Sequence, residues 1–426
     1  MTAYRFHTLS AAALFALLAF AVLAFGAVDT WALTIFEIGV FLLAAIWMVR
    51  LAVSGRRPVW NPFYVPLALL VLWALAQETL ALTVAGYQTR GQVLRWLALW
   101  LFFAIACQCF ADESIRAAFS TALVWFGFAL CAFGLAQYFS SRDVLYWLIP
   151  IPAGRPFGPF VNGNHFTALM ELIIPSALLL ALRPSEQRLI YTVVYGLMVG
   201  AVIVCASRVG TALVAAETAV VLAVTLLARR ARGPGRGRRA WLPVGGMAAA
   251  TALVFSVAGT QKVLERFQEE QLYRVRWTVV QDAWRLFLER PWSGFGAGTF
   301  AQVYPSAASF DLGVTWSHAH NDWLQFAVEW GVAGIASLAA LLGLLLTRRW
   351  PSETRLRVAL PALAVLAHSW FDFPLQIPAV TAAWLAILAW GAPAAQLVPE
   401  PVQVRVTVAS SASGPEAEAA ATREAL

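Results

Sequence analysis

Apolar residues run along this chain in blocks of roughly twenty, separated by breaks rich in arginine, proline or glycine. That block length matches the hydrocarbon thickness of a bilayer. The blocks predict twelve membrane-spanning helices over 7–28, 31–53, 62–80, 92–110, 115–139, 166–182, 189–206, 209–228, 241–259, 322–347, 358–373 and 377–397. The first is longer than a secretion-signal core and another follows at once, so it reads as a span. The organisation that results is spans one to nine over 1–259, a long loop over 260–320, and spans ten to twelve over 321–398. A tail over 399–426, small, polar and containing Pro and Gly, is expected to be disordered.

Inside the long loop, Tyr273, Trp277, Val280, Trp284 and Phe287 recur at alternating four- and three-residue spacing, the signature of one helix face. Arg274, Gln281, Arg285 and Glu289 fall opposite, which predicts an amphipathic helix lying along the membrane interface. Arg276 projects to the margin of the aromatic face, where simple solvation does not explain a charge. The segment PWSGFGAGTF at 291–300 follows, its glycines permitting tight or left-handed backbone. No strand precedes it, which excludes the Rossmann and P-loop readings.

Composition removes the soluble classes: 60% of residues are hydrophobic and only 12% charged. The net charge of +7 is almost all arginine, Lys262 being the single lysine, and its placement reports orientation rather than a nucleic-acid face. With both termini cytoplasmic, the inside loops hold Arg50, Arg56, Arg57, Arg116, Arg183, Arg188, the run RRARGPGRGRR at 229–239, and Arg348, Arg349, Arg355 and Arg357. That obeys the positive-inside rule and leaves 260–320 on the opposite face. Cys107, Cys109, Cys131 and Cys205 lie within apolar blocks as packing residues, and no disulfide is expected.

Candidate chemistry concentrates in SHAHNDWLQFAVEWGVAG, 317–334, where His318, His320, Asn321 and Asp322 stand at the mouth of the tenth span. Ionisable groups there are costly unless they serve chemistry or a charged substrate. A helix N-terminus favours a neutral imidazole at His320, which suits general-base catalysis near neutral pH. The bland reading is a histidine that caps the helix or binds headgroups. A His318–His320 metal pair lacks acidic or cysteine partners at suitable spacing, so neither metal nor cofactor is expected. Asn321 and Asp322 read as cap and orienting groups. Further polar residues within or near apolar blocks are Glu37, Glu78, Asn164, His165, Glu171, Glu217, His368 and Asp372. Asp372 and His368 either line a site from the eleventh span or pair with an arginine as structural glue. Trp60, Trp147, Trp292 and Trp316 read as an interfacial aromatic belt.

RVRWTVVQDAWRLFLERPWSGFGAGTF (274–300) followed by HAHNDWLQFAVEWGVAG resembles the core signature of the bacterial O-antigen ligase and O-antigen polymerase superfamily. FGPFVNGNHFTALMELIIP (157–175), the turn Ser207-Arg208-Val209-Gly210, and HSWFDFPLQIP (368–378) extend the resemblance over about 155–380. It implies an all-α, GT-C-like polytopic membrane protein of the bacterial inner membrane. The implied activity is metal-independent transfer of a glycan from undecaprenyl diphosphate on the periplasmic side. A ligase uses lipid A–core oligosaccharide as acceptor in lipopolysaccharide biosynthesis and is the favoured reading; a polymerase uses another lipid-linked repeat, and a protein O-oligosaccharyltransferase is a third form. A glycan-lipid transporter, the alternative of a different class, is disfavoured because the charges gather on one side and no internal repeat is evident. By position, the family's reactive histidine matches His320, its loop arginine Arg276, and its second arginine Arg208. An aromatic expected four residues after the loop arginine is Val280 here, with Trp277 adjacent, which leaves Arg274 open as well. Substrate contact is expected from Arg208, Arg274, Arg276, His318, Asn321, Asn164, His165 and Asp372, with membrane lipids as further partners and no nucleic acid. Against this stands the plain alternative that Arg208 snorkels and Arg276 anchors an interfacial helix.

Overall fold

The computed structural model describes residues 3–55, 58–141, 143–151, 155–230, scattered positions between 245 and 256, 271–311, 313 and 315–391. Helices α1 (Ala3–Leu23), α2 (Thr30–Ser54), α3 (Tyr64–Thr79), α4 (Gly86–Cys109) and α5 (Glu113–Ser140) are followed by a two-residue hairpin, Val144–Leu145 against Ile149–Pro150. Then come α6 (Gly163–Leu182), α7 (Arg188–Cys205), α8 (Arg208–Arg230), α9 (Gln271–Glu289), α10 (Phe300–Ala307), α11 (Asp322–Trp330), α12 (Val332–Thr347), α13 (Leu360–His368) and α14 (Pro378–Trp390). Among the described residues seven helices, α1, α2 and α4 to α8, are long and apolar enough to cross a membrane, and α3, α12 and α14 are shorter apolar helices. The chain is an all-α polytopic membrane protein. In a bilayer, only structures that pair their own backbone polar groups can span, which is why the apolar blocks become helices.

The axis of the bundle is α6, 89% of whose apolar window is buried, against 17% for the outer helix α8. It packs on α5, α7, α8, α13 and α14. Because successive helices alternate in direction, the start of α4, α6, α8, α11 and α14 and the end of α3, α5, α7 and α13 share one end of the bundle. The arginine-bearing connections around Arg116, Arg183, Arg188 and Arg348 to Arg357 lie at the other.

Two sequence expectations are corrected here and a third is extended. The tenth span is not one helix: α11 stops at Trp330 and α12 restarts at Val332, with Gly331 at φ +61° and ψ −151°. The carbonyls that would continue α11 are taken instead by the glycine turn, Phe295 N–H donating to Val328 O (2.9 Å) and Gly296 N–H to Glu329 O (3.0 Å). Trp73 Nε1 donates to Trp330 O at 2.9 Å, removing a third. The eleventh span ends at His368, and Asp372 lies beyond it, in a loop whose Ser369 and Asp372 carbonyls accept from Asp322 N–H. The loop helix α9 does bear exposed aromatics, Trp277 (63%) and Trp284 (52%), but the face it buries is Val279, Ala283 and Leu286, packed on α11. Arg276 begins that inward stripe, three residues before Val279, which accounts for its misfit on the aromatic face.

The glycine turn 291–300 is seated by buried polar groups. The Glu329 carboxylate accepts from Gly298 N–H (2.9 Å) and Phe300 N–H (3.2 Å), and Gln77 Oε1 accepts from Ala297 N–H (3.0 Å). Gly294, at φ +68°, allows no side chain: a Cβ would sit 2.3 Å from Glu329 O. The expected ninth span (241–259) falls mostly outside the described residues, as do Arg56, Arg57, most of the run at 229–239, the loop's first part (260–270) and the tail.

Candidate functional site

Four segments distant in sequence converge on one carboxylate. Asp372, 1% exposed, accepts at Oδ1 from His320 Nδ1 (3.3 Å) and from Phe373 N–H (3.0 Å). At Oδ2 it accepts a hydrogen bond from Asn164 Nδ2, and Arg276 lies 3.7 Å away as an ion pair. Asn164 comes from the first turn of α6, Arg276 from α9, His320 from the residue before the α11 cap, and Asp372 from the α13–α14 loop. Burial works to raise the Asp372 carboxyl, but the His320 hydrogen bond and the Arg276 charge outweigh it and hold the group well below the usual carboxylate range.

That charge state fixes the imidazole. An ionised carboxylate only accepts, so His320 Nδ1 carries a proton towards Asp372, and in the neutral imidazole the lone pair is then on Nε2. His320 is 15% exposed by side chain and lies edge-on to Trp316 (5.6 Å) and Phe373 (5.0 Å). Its backbone sits in the left-handed region at φ +51°, a conformation costing about 1 kcal/mol for a non-glycine residue and held by these contacts.

The neighbouring histidines differ. His318 stacks on Phe373 at 4.2 Å, and its Nδ1 lies 3.2 Å from Gln325 Nε2. Burial, followed by His165 and His320, pushes it down to about 3, so it is a neutral packing group. His165, 7% exposed, meets Phe373 edge-on at 4.7 Å and has no hydrogen-bond partner at Nε2 among the described residues. Asn321 caps α11, its Oδ1 accepting from Leu324 N–H (3.0 Å), and its Nδ2 donates to Trp370 O (3.1 Å). Arg208 opens α8, half-buried, beside the α6 turn that carries Asn164: a Cβ on Gly210 would meet Thr167, whose hydroxyl donates to Asn164 O at 2.9 Å. The Arg274 side chain lies outside the described residues.

Two further groups support the loop: Asp322, read from the sequence as a cap or orienting group, and Arg95, which sequence reading missed. Asp322 Oδ2 accepts from Leu375 N–H (2.8 Å) and Ser369 Oγ (3.0 Å), and the buried Arg95 of α4 donates to Leu375 O (3.0 Å). Leu375, in the Asp372 loop, is thus held at its N–H by Asp322 and at its carbonyl by Arg95. Arg95, just inside the apolar block 92–110, was the available signal, since a charge entering a span demands a partner. Phe373, ringed by His165, His318 and His320, was legible only as the neighbour of Asp372. Among the described residues no cluster of three or more His, Cys, Asp or Glu is arranged to hold a metal.

Fold and site together define a polytopic helical membrane protein with an imidazole–carboxylate–guanidinium cluster assembled at one end of the bundle. Residues 193–339, from α7 into α12, match the family model described as O-antigen ligase, a likeness that covers about a third of the chain and agrees with the O-antigen ligase and polymerase resemblance read from its motifs. The matched segment includes Arg208, Arg276 and His320 and stops short of Asp372, while Asn164 precedes it. Among curated proteins no relative matches the chain.

Proposed function

We propose that this protein is an O-antigen ligase, transferring glycan from undecaprenyl diphosphate to lipid A–core oligosaccharide on the periplasmic side of the inner membrane, with His320 as general base. The observation that carries the reading is the convergence of Asn164, Arg276 and His320 on Asp372. In the reaction, His320 Nε2 takes the proton from the acceptor hydroxyl as its oxygen attacks C1 of the donor sugar. The C1–O bond breaks and its electron pair leaves on the diphosphate. Charge developing on that leaving group calls for fixed cations in a site with little water, the role assigned to Arg276 and Arg208, with Arg274 a further candidate. Asp372 holds the imidazole in the productive tautomer and steadies the imidazolium that forms, while its pairing with Arg276 joins base and cation in one unit. Asn164 and His165 line the donor side, and His165 Nε2, like Trp316 Nε1, has hydrogen-bonding capacity left for a ligand.

The test is transfer by purified protein supplied with a lipid-linked repeat and lipid A–core. Glycan attached to core, abolished by His320→Ala, supports the reading. Ladder extension without core attachment assigns a polymerase instead, and full transfer by His320→Ala removes the catalytic role.

A further inference from the structure

We infer that Glu171 and His368, buried inside the bundle, are positioning residues for the site. The inference rests on the catalytic reading of His320 and Asp372 just given. Glu171 and His368 are 0% and 1% exposed by side chain, and His368 Nδ1 lies 2.7 Å from Glu171 Oε1. The pair joins α6 to the last residue of α13.

The same two elements are joined a second time, at the site. Asn164 and Glu171 are seven residues apart on α6, two turns, so both project from one face about 10 Å apart along the axis. On the other side, Asp372 follows His368 by four residues, and its N–H donates to the His368 carbonyl at 3.1 Å. Phe371 N–H donates to that same carbonyl at 2.8 Å. The contacts close a ring: Glu171 to the His368 ring, the His368 carbonyl to Asp372, the Asp372 carboxylate to Asn164, and α6 back to Glu171. The deeper rung sets where α13 ends against α6, and that sets the height at which Asp372 meets Asn164 and His320. Generic glue between two apolar helices requires neither an acid nor an imidazole, both of which are costly in a bilayer interior without a partner.

The experiment measures initial rates of glycan transfer, over a range of donor concentrations, for wild type and for Glu171→Ala, His368→Asn and Glu171→Gln, with thermal melts of each. Breaking the rung displaces Asp372, so kcat is expected to fall about a hundredfold, the cost of misplacing a reacting group by about 1 Å, with donor KM unchanged. Glu171→Gln keeps a hydrogen bond to the ring and restores most of kcat. In an Asp372→Asn background the Glu171→Ala change costs nothing further, because its effect runs through Asp372. Should Glu171→Ala not accumulate as folded protein, Glu171→Asp, one methylene shorter, is read in the same way. Variants whose melting point drops while the folded fraction keeps wild-type kcat, or losses that simply multiply with Asp372→Asn, overturn the inference and leave the catalytic reading standing. Absence of transfer by the wild type removes that reading, and this inference falls with it.

Discussion

Replacing Asp372 with asparagine removes one charge and keeps the shape, which makes it the most direct probe of the site. The aspartate accepts at both oxygens, from His320 Nδ1 and Phe373 N–H on one and from Asn164 on the other. An amide accepts at only one. With its NH2 toward Asn164, two donors face each other; with its NH2 toward His320, Nδ1 must become the lone-pair atom and the proton moves to Nε2, where the base is needed. Breaking a buried charge pair costs about 3–5 kcal/mol, and the lower end applies because Arg276, 23% exposed and 3.7 Å away, is partly screened. That cost falls on folding stability; on kcat the wrong tautomer is expected to cost between about a hundredfold and about 10⁴-fold, the latter being the effect of the same change in a Ser–His–Asp triad. Initial rates of glycan transfer by protein in lipid nanodiscs, with a melt to confirm folding, measure it. A folded Asp372→Asn variant turning over within about threefold of wild type would refute the claim that Asp372 sets the imidazole's tautomer.

Arg276→Ala should weaken donor binding, raising donor KM about ten- to a hundredfold through loss of charged hydrogen bonds to diphosphate, and an unchanged KM would count against its assignment. Gly294→Ala forces a side chain into left-handed backbone and against Glu329 O at 2.3 Å, and should destabilise the fold by about 2 kcal/mol or more; an unaltered melting point would contradict the described seating of the turn. Acid should loosen the site region. His318, ordinarily near 6.5 and held at about 3 in the fold, gives stability that is present above 6.5 and lost as pH falls towards 3, because the unfolded chain takes up a proton the folded one refuses. Asp372, also held below its ordinary value, acts in the same direction: its contribution exists above the unfolded carboxylate's pKa and disappears as pH drops through the folded one. Melting points should therefore decline below about pH 6.5, and less steeply in His318→Asn; a flat profile would show that His318 is not kept neutral by burial.

The chemistry of the site was more legible in the sequence than its wiring. Polar and ionisable residues at the mouths of apolar blocks drew attention to His320 and Asn164, since a bilayer penalises such groups wherever they lack a purpose, and a misfit on its helix face drew it to Arg276. The periodicity within α9 located a helix and its aromatic face, but not the face packed on α11, Val279, Ala283 and Leu286, which bears no distinctive pattern of its own. Asp372 stayed ambiguous between lining the site and serving as glue, and its geometry joins it to both an arginine and the candidate base.

What the sequence alone determined about this protein is its material class. Apolar blocks of bilayer length must become helices, and block length is a one-dimensional quantity, readable residue by residue. Only the tertiary structure decided where the tenth span breaks and which carboxylate the imidazole meets. Both depend on contacts across large sequence separations: the glycine turn taking the α11 carbonyls, and Asp372 reaching Asn164 across 208 residues and His320 across 52. No local pattern encodes such pairings, because the partners come into reach only when α6, α9, α11 and α13 pack.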